Sequence, residues 1–157
     1  MGALAGIANR DSKPNVENCL RSMLICQVHR DRNTPALWIG QHCALGMRNM
    51  HDALFITEDV DHSTAALEQG IAGVHACVDG IVLDIPRHVS ALEQKGVPLS
   101  SWHCSTMIAN AYATWGLEFM RHLEGEFACA ISDENKHSLV LARDPYGKKP
   151  LHYHLSN

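Results

Sequence analysis

Leu139-Val140-Leu141-Ala142-Arg143-Asp144-Pro145-Tyr146-Gly147-Lys148-Lys149-Pro150-Leu151-His152-Tyr153 is the stretch on which a reading of this chain turns. The apolar run at 139–142 reads as a strand. Arg143 and Asp144 close it, Pro145-Tyr146-Gly147 reads as a turn, and Lys149-Pro150 leads into a second strand at 151–154. Proline fixes φ and glycine supplies positive φ, so the two together punctuate the backbone. The charged pair reads either as a substrate contact or, more simply, as a strand-end ion pair that fixes the turn into Pro150.

Working outward, residues 126–132 and 137–142 read as strands. Residues 104–115 and 117–123 read as two helices separated by Gly116. Tyr112, Trp115 and Phe119 fall at helical spacing, which is the pattern of core packing. Residues 85–95 have helical spacing, with Pro86 at the start and Gly96 at the end. Residues 73–78 form an apolar run that ends in Asp79-Gly80, a turn signal. Further upstream, 36–40 and 43–47 read as a hairpin and 53–57 as another strand. Residues 15–28 repeat near a 3.6 period as a helix, and 3–8 read as a short buried strand. Strands at both ends enclosing helices predict an α/β layered sandwich.

Composition narrows the class. At 157 residues the simplest organisation is one domain, 1–157, with 46% hydrophobic residues and no need of covalent staples. The net charge of −4 comes with scattered Lys and Arg, which argues against a nucleic-acid footprint. No apolar run reaches the roughly 18 residues of a membrane span. No signal peptide is legible, so the expected location is the cytoplasm, where the six cysteines would stay reduced. His152 and His154 have strand spacing and Cys26 and His29 straddle a helix end, but neither pair has an obvious cluster around it; no metal and no cofactor is expected.

The ordered landmarks carry a family resemblance. They are a small-residue strand ending in Gly6-Ile7, a helix leading to His29-Arg30, and a strand ending at Asp79-Gly80. A helix closing on Trp115-Gly116 follows, then Leu123-Glu124-Gly125-Glu126-Phe127-Ala128 and the stretch from Leu141 to Tyr153. Together they resemble the class II glutamine amidotransferase domain of asparagine synthetases. The resemblance implies an α+β fold of the N-terminal-nucleophile hydrolase type, a four-layer αββα sandwich. It implies that Arg143, Asp144, Gly147, Lys149 and Pro150 are a structural signature. It also implies a mechanism in which a cysteine follows the initiator Met, is exposed by Met removal, and attacks the glutamine amide with its own α-amine as base. An α-amine titrates near ~7.7–8, so it can take a thiol proton at neutral pH.

The chain departs from that pattern at its chemistry. The nucleophile position is Gly2, which has no thiol. The oxyanion positions read Asp79 and Gly80, and a carboxylate repels a developing oxyanion where an amide would donate to it. Ile81, in the place of an acidic residue, accepts no hydrogen bond from the substrate amine. Counting from Leu45-Gly46, the position of the family's carboxylate-binding Arg is Asn49, with Arg48 one step away and on the other strand face. The substrate-binding Asp is replaced by Cys104. Of the His-Arg-Gly-Pro-Asp motif only His29 and Arg30 remain.

These departures predict a degenerate glutaminase, and the chain alone is expected not to be an enzyme. It is expected to act as a structural or docking domain for an ATP-dependent, asparagine-synthetase-like partner, in cis or in trans. No pyrophosphate loop of the synthetase type occurs in these residues. The alternatives are an active glutaminase supplying ammonia to an asparagine synthetase, and a binding module using the emptied pocket. A relocated cysteine nucleophile at Cys77 or Cys104 is a further option, but no histidine stands ready as its base.

Overall fold

The computed structural model describes residues 2–9, 15–30, 32, 34–48, 73–97, 99 and 103–155. Its elements run β1 (Ala3–Ala8), α1 (Val16–Cys26), β2 (Ala36–Ile39), β3 (Cys43–Arg48) and β4 (Val74–Val82). They continue as α2 (Ile85–Glu93), α3 (Cys104–Trp115), a 3-10 helix (Gly116–His122), β5 (Gly125–Asp133) and β6 (Ser138–Arg143). The strand expected at 53–57 lies outside the described residues. No helix among the described residues is long and apolar enough to cross a membrane.

The strands form two antiparallel sheets, ordered β1-β3-β2 and β4-β5-β6. Alternation along each strand then decides what packs where. In β3, Cys43, Leu45 and Met47 share a cluster with Cys77 of β4 and Ala130 of β5, so these faces meet between the sheets. The other face of β3 carries Ala44 and Gly46. Ala44 packs with Leu20 and Leu24 of α1, and a Cβ at Gly46 would sit 2.5 Å from Leu24 Cδ1. Small residues on that face therefore let the helix lie close. On β4, Val74, Ala76 and Val78 join Met107 and Ile108 of α3 in the largest core. The molecule is thus a mixed α+β fold in which two facing sheets are flanked by helices.

Several expectations are corrected. Asp79-Gly80 is not a turn: β4 runs through it to Val82, in nine-residue register with β5 from Val74↔Asp133 to Val82↔Gly125. Gly80 supplies φ +138 within the ladder, so the glycine serves a distorted strand. The segment from Leu151 to His154 forms no strand, and His152 and His154 are exposed without strand geometry, which removes the spacing argument for a histidine pair. The helix expected at 117–123 is the 3-10 helix. Its Phe119 packs edge-on against Tyr112 at 6.0 Å between ring centroids, as the core pattern predicts.

The 144–149 turn is held by one carboxylate, not by an ion pair between Arg143 and Asp144. Arg143 is exposed while Asp144 is 2% exposed. Asp144 Oδ1 accepts from the backbone N–H groups of Tyr146 at 3.0 Å and Lys148 at 3.1 Å, and Oδ2 accepts from Lys149 N at 3.3 Å. Gly147, at φ +63, donates its N–H back to the Asp144 carbonyl. Burial pushes the Asp144 carboxyl up, but the backbone donors outweigh it and hold the group below its ordinary value. A depressed folded-state pKa contributes stability that is present above the unfolded value of ~3.9 and lost as pH falls through the folded value. Asp144→Ala is therefore expected to cost about 2–4 kcal/mol at neutral pH, because three N–H groups lose their acceptor. Urea unfolding should show that deficit shrinking in acid.

Candidate functional site

Residues distant in sequence meet at one end of the space between the sheets. The inter-sheet face of β4 reads His75, Cys77 and Asp79. His75 stacks on Trp38 of β2, Cys77 lies in the shared core, and Asp79 marks the other end. There Asp79 Oδ1 accepts from Lys149 Nζ at 3.1 Å and Oδ2 from Arg30 Nη2 at 3.5 Å. Arg30 Nε in turn donates to the Gly2 carbonyl at 3.2 Å. Gly2 is buried immediately before β1. Arg30 is set by the turn after α1, where its N–H donates to the Gln27 carbonyl at 2.9 Å. Lys149 is delivered by the turn that Asp144 organises.

The electrostatics follow from burial. The Asp79 side chain is 7% exposed, and a carboxylate so placed is costly unless charge and hydrogen bonds compensate it. Both oxygens have a cation, so the carboxylate is neutralised in place. Lys149→Met is expected to destabilise the fold by roughly 2–4 kcal/mol, because it strands most of that charge. Adding Asp79→Leu should recover a large part of the loss. A double-mutant cycle in urea reads the coupling; independent, additive effects would sink the account.

The sequence-derived site residues divide clearly. Gly2 and Asp79 come together through Arg30. Gly80 follows Asp79 in the strand, where an added Cβ would lie 2.0 Å from the Glu126 carbonyl oxygen. Ile81, paired with Glu126, is 46% exposed. Cys104 is the first residue of α3 and packs in the core between that helix and β4. Asn49 lies outside the described residues. Arg48 is buried with its Nε donating to the Leu24 carbonyl at 2.8 Å, so that guanidinium ties β3 to α1. Of the C-terminal signature, Arg143 and Pro150 are exposed, Asp144 and Gly147 shape the turn, and Lys149 reaches the site.

Sequence reading missed Arg30 and Lys149 as site cations. Reading Asp79-Gly80 as a turn hid the signal: an acid inside an apolar strand needs countercharges, and both cations lie in recognisable motifs. Three of the buried thiols, Cys43, Cys77 and Cys129, are poorly suited to replace a missing nucleophile. Burial pushes Cys43 up to about 11 and Cys129 up to about 12, and it raises Cys77 further. Such thiols stay protonated at neutral pH, and the thiolate is the attacking form.

Comparison with known proteins adds lineage to this geometry. Residues 51–157 match the family model of a glutamine amidotransferase domain. The chain is 32% identical to an amidase of Gibberella zeae over 147 residues, covering 94% of this chain and 21% of that protein. It is 38% identical over 80 residues to an amidase of Penicillium rubens, covering 51% and 12% respectively. It is 26% identical over 137 residues to a glutamine-hydrolysing asparagine synthetase of Bacillus subtilis, covering 87% and 21%. The chain thus spans about a fifth or less of the length of these curated relatives.

Proposed function

This chain belongs to the glutamine amidotransferase domain family, in the class II, asparagine-synthetase-type branch, and from that premise we propose that it has lost glutamine hydrolysis. It serves instead as a structural and docking domain for an ATP-dependent amide-forming synthetase, in cis or in trans. Residues 1–157 make one such domain, a four-layer αββα sandwich. The three apolar clusters support that layering: one against α1, one between the sheets, one against α3.

The observation that carries this reading is the ion cluster around Asp79. Class II chemistry needs a thiol on the residue after the initiator Met and donors aimed at the oxygen of the tetrahedral intermediate. Gly2 has no side chain, and its carbonyl is engaged by Arg30. Both Asp79 oxygens already accept from cations, so the side chain is engaged as an acceptor and offers no amide N–H to an oxyanion. Arg30 and Lys149 could stabilise negative charge, but both are directed to Asp79.

That two relatives are named amidases and a third a glutamine-hydrolysing asparagine synthetase supports amide chemistry in the longer proteins. In this reading the remaining length of such proteins, or a separate subunit, supplies the amide-forming step. The test is ammonia release from glutamine by purified protein, expected to equal a heat-killed control. Release clearly above that control overturns the reading. Co-purification from the native source is expected to recover an adenylating synthetase, on the same polypeptide or beside it.

A further inference from the structure

Among the described residues, the end of the inter-sheet space opposite Gly2 is open. A cleft of about 620 Å³ lies between the β2–β3 turn and the β5–β6 turn, within the range of small-molecule sites. β1 pairs along β3 from Ala3↔Arg48 to Ala8↔Cys43, and the cleft lies at the Ala8 and Cys43 end. The length of β1, about 17 Å at ~3.4 Å per residue, therefore separates it from Gly2.

Its lining has a definite chemical character. Trp38 forms an apolar wall, backed by the nearly parallel His75 ring at 4.1 Å. His42 and His137 meet edge to face at 5.2 Å, one from each turn. Among the described lining residues two are carboxylates, Asp133 and Glu134, and none is Lys or Arg. Asp133 is already committed: its Oδ2 accepts from Tyr112 at 3.0 Å and pairs with Lys136 at 3.0 Å. Glu134 is not so committed. Its nearest charge partner among the described residues is His75 Nε2, at 3.9 Å, and burial lowers the pKa of that imidazole toward the neutral form. The Glu134 carboxylate and the Trp38 ring converge on Gly40: a Cβ there would lie 2.8 Å from Glu134 Oε1 and 2.3 Å from Trp38 Cη2. A carboxylate beside an indole, in a cleft whose described lining holds no Lys or Arg, repels anions and suits a cation, which the indole face also attracts.

We propose that this cleft binds a small organic cation, an amine or amidinium on a flat apolar body, with Glu134 pairing the charge and Trp38 covering the body. The site is independent of the glutaminase reading, because none of its residues belongs to the Gly2 end.

Benzamidine, with benzamide as its neutral and benzoate as its anionic counterpart, probes the cleft in the full chain. Benzamidine is expected to shift the Trp38 indole N–H resonance, assigned by its loss in Trp38→Phe. It should bind more tightly than either counterpart. Glu134→Gln should weaken benzamidine about threefold to tenfold, modestly because the carboxylate is half-exposed, and leave benzamide unchanged. Glu134→Lys should abolish benzamidine binding and admit benzoate. Equal binding of all three probes, an unshifted Trp38 resonance, or benzamidine affinity indifferent to Glu134→Gln would each overturn the proposal.

Discussion

Gly2→Cys alone is expected to leave glutamine hydrolysis about 10²–10³-fold slower than Gly2→Cys combined with Asp79→Asn. The first change supplies a thiol beside the N-terminal amine once Met1 is removed. It leaves Asp79 in place, and that side chain has no amide N–H to donate and holds Arg30 and Lys149 at 3.5 and 3.1 Å. The second change would turn an amide N–H toward the intermediate and free the two cations to neutralise its oxygen or the substrate carboxylate. Neither variant should match a native glutaminase, since Ile81 and Cys104 still stand where substrate contacts are expected. The quantity that matters is the ratio of the two rates, measured by ammonia release. A ratio near one would show that residue 79 plays no part in the oxyanion site.

Gly80→Ala is expected to destabilise the fold by about 3–5 kcal/mol, the sum of backbone strain and overpacking. The Cβ would stand 2.0 Å from the Glu126 carbonyl oxygen and 2.6 Å from Phe127 Cα, and both are backbone atoms of the paired strand. Neither can turn aside as a side-chain tip can. The φ of +138 adds a conformation that alanine disfavours. Gly96→Ala makes the control: it also has positive φ, at +78, but nothing lies within 4 Å of its Cβ. It should cost only about 1–2 kcal/mol. Chemical denaturation of both variants separates steric collision from backbone preference.

Much of the fold was legible because local and long-range demands agree. In α1, the β2–β3 hairpin and α3, the hydrophobic period, the flanking breakers and the tertiary packing all point the same way. Asp79-Gly80 misled because the dipeptide is a turn signal only when nothing stronger acts on it. Nine register pairs with β5 do act on it, and the strand absorbs the glycine as a local distortion. The segment after Pro150 alternates like a strand, but the contacts that hold this tail come just before it, at Asp144 and Lys149, and no ladder follows. The site was half legible. Gly2 and Asp79 could be named from their motifs, whereas the Arg30–Asp79 and Lys149–Asp79 pairs span 49 and 70 positions. The first depends on how the two sheets stack, and the second on where the turn after β6 delivers Lys149 against β4 of the same sheet.

The inter-sheet face of β4 carries polar groups at its two ends and a dry thiol at its centre. His75 and Asp79 are four residues apart, about 13 Å along a strand, with the Cys77 core between them. Substitutions at sites separated by more than ~7–10 Å, with no shared partners, act additively. The sandwich is therefore two mutationally uncoupled halves built on one strand. Drift at the Asp79 end can erase a reaction without disturbing the His75 end, and the His75 end can be selected for its own ligand while the rest of the scaffold stays put.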